Sequence, residues 1–343
     1  MRSRLACLTT ADVRRWDAFV TAHPEGTFFH LAGWRTVIES VFRHPTYYVY
    51  TERDGHLTGV LPLVHVRSRL FGDSLISNAF CVYGGPIATD DDSRAQLVAF
   101  ALAEMERLQV NHVEFRNRRV SELGWSSNSG LYATFRREIS PDPEKNLQAI
   151  PRKQRAVIRQ SLRNDLEAHL DRDISRFYEV YAESVRNLGT PVFPKKYFES
   201  LLEVFYKNCE ITTILNNDKP VSSVLSFFFR DEVLPYYGGG TFAARALGAN
   251  DFMYWNVMNM ASSKGFRFFD FGRSKIGTGS FSFKKNWGFI PENLIYEFKL
   301  RKPGDIPNIN PLNPKYRLFI ETWKRLPVPV TKFLGPPITR GLG

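Results

Sequence analysis

The chain of 343 residues repeats itself. TERDGHLTGVLPLV (residues 51–64) and LNNDKPVSSVLSFFF (residues 215–229) share one form: a strand end, a tight turn, an apolar strand. Asp54, Val60 and Leu61 fall on Asp218, Val224 and Leu225 at one constant offset, and upstream, where TFFHLAGWRTVIESVF matches TPVFPKKYFESLLEVF, Trp34 falls on Phe198 at the same offset. Downstream the offset shrinks, so VYGGP falls on YYGGG and VEFR on FDFG. A period of about 160 residues is too long for a solenoid repeat; it means two copies of one α/β domain.

Each copy reads helix, helix, strand, hairpin, strand, strand, helix, strand. The first copy predicts helices near 10–22, 31–42 and 93–108, and strands near 46–52, 57–66, 72–77, 79–84 and 111–116. The second predicts helices near 173–187, 195–207 and 250–264, and strands near 210–216, 221–230, 232–238 and 266–271. Asp-Gly and Asn-Asp at the two hairpins tolerate the positive φ that tight turns need. These patterns place the domains at 1–150 and 171–300, a linking helix at 151–170, and a linker and tail at 301–343. RKPGDIPNINPLNP reads as the linker by its prolines and glycine. KYRLFIETWKRLP reads as a short amphipathic helix, and PVPVTKFLGPPITRGLG shows no periodicity.

Between the copies, PRKQRAVIRQSLRNDLEAHL opens on Pro151, which suits a first helical turn. At the helical period Arg152, Arg155, Arg159 and Arg163 lie within about 80° of one another. No acid interrupts residues 151–164. This is either a solvated basic face or an anion-binding one. The formal net charge of +11 favours anionic partners without choosing among phosphates, nucleic acid and a membrane surface.

No stretch approaches 18 uninterrupted apolar residues, so no transmembrane segment is expected. Cys7, Cys81 and Cys209 are widely spaced and show no metal-type pairing. The expectation is a reduced, cytoplasmic protein without structural metal or a tightly bound cofactor. The seven histidines, 23, 30, 44, 56, 65, 112 and 169, form no paired motif. Nothing resembles an RNP-type or KH-type motif, which argues against RNA binding as an end in itself.

The densest chemistry lies in FDFGRSKIGTGSFSFKKNWGF, residues 269–289. Gly272 and Gly277 have P-loop spacing, but Thr278 stands where that motif needs lysine, so this is no nucleotide-binding P-loop. Arg273, Lys275, Lys284 and Lys285 follow one another without an acid. They form either a basic turn or a site for phosphates or a carboxylate, Arg binding bidentately and Lys as a point charge. Asp270, at a strand end, either acts as a base or holds the turn. Tyr236, Tyr237 and Tyr254 either donate hydrogen bonds to substrate or pack in the core.

These residues carry a resemblance. RKQRAVIRQSLRN, NLGTPVFPKKYFESLL, LPYYGGG, ANDFMYWNVMNMASSKGF and the Phe-x-Phe-Lys-x-x-Trp-Gly tail resemble the FemAB family, built from two GNAT-type acyltransferase domains, over most of residues 20–300. LGTPVFP and DFGRSK look like its exosortase (PEP-CTERM) and exopolysaccharide-associated branch. The resemblance implies two tandem GNAT-like α/β domains with mixed, mostly antiparallel sheets flanked by helices. It implies transfer of an acyl or aminoacyl group, from acyl-CoA or aminoacyl-tRNA, onto an amine of a phosphate-bearing or lipid-linked cell-envelope, exopolysaccharide or peptidoglycan-type precursor. Such chemistry would sit at the inner face of the membrane. Lys284, Asp270 and Tyr237 are the candidate catalytic residues. Arg273, Lys275, Lys285, Arg152, Arg155, Arg159 and Arg35 are the candidate substrate or phosphate contacts.

GNAT enzymes hold a CoA pyrophosphate on a loop of the type [QR]-x-x-G-x-[GA], opening the helix after the fourth strand. Arg245, Gly248 and Asn250 stand at that place in the second copy, with Asn250 departing from the pattern and Asp251 adding a negative charge. The first copy reads TDDDSRA there, which would repel a diphosphate. Relatives often carry a cation slightly beyond the place of Arg35; here that position is Ile38. The alternative reading is a non-catalytic anion-binding or membrane-surface accessory protein, docking through the Arg helix and the C-terminal segment.

Overall fold

The computed structural model describes residues 3–68, 71–121, 123–304, 306 and 314–343. The chain divides into two compact units. By its described residues, the first unit runs to Leu131 and takes in 294–304, 306 and Thr339–Gly343; the second holds Tyr132–Asn293 and 314–338. Most of the expected linker, residues 305 and 307–313, lies outside the described residues.

The first unit contains β1 (Arg4–Cys7), α1 (Val13–Ala22), α2 (Gly33–Phe42), β2 (Thr46–Arg53), β3 (His56–Ser68), β4 (Gly72–Ser77), β5 (Ile87–Ala88), α3 (Asp91–Leu108), β6 (His112–Asn117) and β7 (Ser126–Asn128). The second contains β8 (Tyr132–Thr134), β9 (Arg136–Glu138), α4 (Pro143–Gln148), α5 (Arg152–Ser161), β10 (Glu167–Asp171), α6 (Ser175–Leu188), α7 (Lys195–Val204), β11 (Cys209–Asn216), β12 (Lys219–Phe229), β13 (Glu232–Gly240), α8 (Ala244–Leu247), α9 (Ala249–Ser263), β14 (Phe268–Asp270), β15 (Ser274–Lys275), α10 (Gly279–Asn286) and β16 (Glu292–Asn293). The chain then returns to the first unit for β17 (Ile295–Leu300), before α11 (Pro314–Arg325) and α12 (Val328–Thr339).

The main sheets have order β1-β2-β3-β4-β6-β17-β7 and β10-β11-β12-β13-β14-β9. Each has one parallel pair, β4 with β6 and β13 with β14. Both are therefore mixed and mostly antiparallel. The repeat begins one strand earlier than its sequence signal: β1 pairs antiparallel with β2, and β10 likewise with β11.

The hairpins turn as their residues demand. Asp54 and Gly55 have φ of 51° and 78°, and Asn217 and Asp218 have 49° and 62°, so both central residues are left-handed as a two-residue turn requires. β12 is buried almost throughout because both its faces are covered. Val224 and Phe228 join the core with Met253 and Val257 of α9, while Phe227 turns toward Phe205 and Tyr236. In the first unit Leu61, Leu63, Leu75, Val113 and Phe115 pack with Leu97, Ala101 and Met105 of α3.

Three local expectations change. Residues 79–84 form no strand: Asn78 and Phe80 have positive φ, and Gly84 and Gly85 donate to the Arg116 carbonyl instead of to a ladder. The helix expected over 151–170 stops at Ser161. Asn164 then ties back through its side chain to the Leu247 carbonyl at 2.8 Å, and the chain extends into β10. The tail without visible periodicity is helical as α12, with Pro336 and Pro337 inside it.

Candidate active site

The FDFG segment closes β14 and turns at Gly272, whose φ is 68°. Asp270, 2% exposed, organises that turn. Its Oδ1 accepts from Gly272 N at 2.7 Å and from Thr134 Oγ1 at 3.0 Å. The geometry matches the turn-holding alternative for Asp270 rather than a carboxylate aimed at solvent. After the turn, β15 pairs with β8, and Thr278 caps α10 by accepting from Phe281 N.

Lys284 lies on α10 and reaches back into the turn. Its Nζ donates to the carbonyl oxygens of Phe271 at 2.6 Å, Gly272 at 2.9 Å and Arg273 at 3.3 Å. Its three donors thus meet three converging carbonyls. Phe135 and Phe271 flank the ammonium. Burial pushes Lys284 down to about 7; Asp270 opposes the shift and Arg273 adds to it.

Arg273 and Lys275 converge over Tyr132, 4.6 Å and 5.9 Å from its ring centre. Lys275 is 9% exposed, and its Nζ is buried without a hydrogen-bond partner among the described residues. Burial, and secondarily Arg273, push it down to about 8. A buried ammonium beside a second cation is costly unless an anion compensates, so this pair suits a carboxylate or phosphate. Lys285 neighbours the site on α10, its Nζ 5.9 Å from the Phe281 ring centre.

The Arg helix is joined to this turn through Asp251, which accepts from Trp287 Nε1 at 2.9 Å and from Gln154 on α5. Gly288, φ 79°, continues the link: a Cβ there would lie 2.8 Å from Pro151 Cδ, so the close approach of the two segments requires glycine. The charge of Asp251 is thereby turned inward rather than presented to a ligand. Burial raises its pKa, while the two side-chain hydrogen bonds oppose the rise.

Along α5 runs a groove of about 470 Å³ lined by Arg152, Arg155, Ala156, Arg159, Gln160 and Arg163. The stripe expected at the helical period thus forms one continuous basic face of the helix. Its visible ion pair is the exposed 4.0 Å contact of Arg159 with Glu144. Arg155 Nε is buried without a partner among the described residues.

The loop expected to hold a diphosphate backs onto the same helix. Gly248, φ 64°, sits where a Cβ would approach Ser161 Cβ at 3.1 Å. Arg245 is exposed on α8. Asn250 does not cap α9; its Oδ1 accepts from Ser222 Oγ at 2.6 Å, and Gly248 occupies the cap position. In the first unit Asp90 caps α3 by accepting from Ser93 N, with Asp91 and Asp92 in the same turn. That helix start is satisfied by the protein's own acids.

Two candidates lie elsewhere. Tyr237 is buried in an aromatic cluster, its hydroxyl 2.8 Å from that of Tyr197, and burial raises its pKa far above the ordinary tyrosine value. Its surroundings are those of a core residue. Arg35 is on α2 in the first unit, donating to the Leu8 carbonyl at 2.7 Å and to Glu39 at 3.2 Å. Tyr254 does join the site's aromatic wall, 4.9 Å from Phe271 by ring centres. Among the described residues no cluster of three or more His, Cys, Asp or Glu side chains is placed to share a metal ion.

The residues missed by sequence reasoning are Tyr132, Thr134, Phe135, Arg137 and Gln154. Four come from the strand segment 132–138, whose apolar alternation in LYATF was the available signal. Arg137 donates to the Trp287 carbonyl at 3.4 Å and lies over the Phe289 ring.

Residues 152–285, from α5 through Lys285, match the model of an acetyltransferase (GNAT) domain. FemX is similar over 92% of this chain and 100% of its own, with a TM-score of 0.69 and 14% identity. A tandem GNAT protein from the clavulanic acid biosynthesis pathway is similar over 89% of this chain and 100% of its own, at 0.55 and 9%. The C-terminal DUF2156 domain of a putative lysylphosphatidylglycerol synthetase from Agrobacterium fabrum is similar over 84% and 91%, at 0.53 and 15%. No curated protein sequence matches the chain. The fold is accordingly that of tandem GNAT-like domains, with mixed sheets flanked by helices, and the GNAT match falls in the second copy.

Proposed function

We propose that the protein transfers an activated acyl or aminoacyl group onto an amine, with the Lys284 ammonium stabilising the tetrahedral oxyanion through its charge, its three donors being engaged by the carbonyls of the turn. The observation that carries this reading is the Lys284 ammonium held by the Phe271, Gly272 and Arg273 carbonyls beside the Arg273–Lys275 pair. A cation fixed in a dry turn acts on developing charge without reorganising. The amine nitrogen forms the new C–N bond, the C–S or C–O bond to the carrier breaks, and the proton lost by the amine ends on the departing thiolate or ribose oxygen. Thioesters and aminoacyl esters are reactive enough for positioning and oxyanion stabilisation to supply most of the rate.

Asp270 sets the turn and so the direction of the three carbonyls. Arg273 and Lys275 hold a carboxylate or phosphate of a substrate. Arg152, Arg155 and Arg159 hold the phosphates of the donor, acyl-CoA or aminoacyl-tRNA, with Gly248 and Arg245 at the far end of the same helix. The acceptor in this reading is a phosphate-bearing envelope or exopolysaccharide precursor met at the cytoplasmic face of the membrane. Incubating the purified protein with acetyl-CoA or charged tRNA and an amine tests it. Donor-dependent amide formation lost in Lys284→Met supports the reading; anion binding without any transfer overturns it.

A further inference from the structure

The C-terminal helix pair turns its apolar side outward. Leu318 and Phe333 are each 80% exposed, and Phe319, Val330 and Leu334 are 41%, 38% and 41% exposed. On α12, Val330, Phe333, Leu334 and Pro337 recur at i, i+3, i+4 and i+7, so they share one face, and all four are exposed.

The opposite face holds the pair to its own unit. Trp323 and Thr331 are buried. Gly335 sits so close to Val192 that a Cβ would lie 2.7 Å from its carbonyl oxygen, and Ile320 closes on Gly189 in the same way. Arg186 donates to the Lys324 carbonyl at 3.1 Å. The outward apolar face is therefore not used for the packing of these helices.

Past Glu321, the charge along this segment has one sign. Residues 322–343 carry Lys324, Arg325, Lys332 and Arg340 and no acid. On the exposed turns of α11, Glu321 is already paired with Lys324 at 3.0 Å. A second copy of this chain would bring the same cations to the contact, which like-charge repulsion disfavours. An anionic bilayer complements both halves of the surface: headgroups meet exposed Arg325, while Lys332 stays over the Tyr178 ring, and the acyl boundary takes Phe and Leu. No helix among the described residues is long and apolar enough to cross a membrane, and twelve residues of helix reach only about 18 Å. The contact is one of lying on the surface.

We propose that α11 and α12 form a docking surface for an anionic lipid bilayer, with the Val330–Phe333–Leu334 face of α12 in the interface plane. The test is flotation of the full chain with phosphatidylcholine vesicles, with and without phosphatidylglycerol, at about 50 mM and about 500 mM salt. Wild type is expected to float with the phosphatidylglycerol vesicles and to release from them at high salt. Leu318→Ser/Phe333→Ser, which changes exposed positions only, is expected to lose about tenfold in bound fraction, and Arg325→Glu to weaken binding with the apolar face intact. Unchanged thermal melts confirm that both variants fold. Three results overturn the proposal: no flotation of wild type, undiminished flotation of the double variant, or a dimer in sedimentation that the double variant abolishes.

Discussion

Trp287 Nε1 donates to Asp251 Oδ1 at 2.9 Å, and the same oxygen accepts from Gln154. One carboxylate oxygen thus ties the end of the Lys284 helix to the first turn of α9 and to the Arg helix. Asp251→Asn keeps an acceptor in place and is expected to cost under about 1 kcal/mol. Asp251→Leu leaves two donors unpaired in the interior and is expected to cost about 1–3 kcal/mol. Denaturant unfolding of the two variants checks the difference; equal losses would show that the oxygen is not the tie.

The same carboxyl predicts a pH effect. Its pKa is raised in the folded state by burial, so its stabilising share is present below the unfolded value and is lost as pH rises through the folded one. Asp251→Asn should therefore narrow its deficit to wild type, or overtake it, between acid and neutral pH, a crossover visible in unfolding midpoints measured across that range.

Lys275 is expected to trade stability for binding. Lys275→Met removes a buried ammonium that has no partner among the described residues, and should stabilise the protein by about 1–2 kcal/mol. The same change should raise KM for the anionic substrate several-fold. A destabilised variant with unchanged KM would place the lysine in a purely structural role.

Charge reversal on the groove separates phosphate binding from folding. Arg155→Glu/Arg159→Glu alters a face whose visible ion pair is the exposed Arg159–Glu144 contact, of a kind worth about 0–1 kcal/mol. Thermal stability should stay near wild type while donor affinity falls at least tenfold. If the donor is tRNA, the dependence of log affinity on log salt should also become shallower. Calorimetry or filter binding at two salt concentrations reads both.

How much of this was legible in the sequence depended on range. The repeat was visible because Asp54-Gly55 and Asn217-Asp218 mark their turns locally and the following strands are apolar runs. The division into units was not, because β17 pairs with β6 while Tyr132–Asn293 of the second unit intervenes between them. No local pattern encodes such pairing. Lys284 was visible as part of a motif, but its partners are backbone carbonyls, which any residue type supplies. The 79–84 segment misled because Val82 and Tyr83 are apolar, while positive φ at Asn78 and Phe80 breaks the strand. In α12 two prolines hid a helical face that the folded chain displays.

The most direct test of the central claim is the pH dependence of single-turnover acyl transfer in wild type, Lys284→Arg and Lys284→Met. Lys284 is pushed down to about 7 by burial, so the cation that stabilises the oxyanion is lost as pH rises through that value. Wild-type rate should fall on the alkaline side near 7. Lys284→Arg, which stays charged, should keep part of the rate without that fall, and Lys284→Met should lose at least a hundredfold. Transfer in Lys284→Met at the wild-type rate, or an alkaline limb unchanged in Lys284→Arg, would contradict the assignment of Lys284 to the reaction.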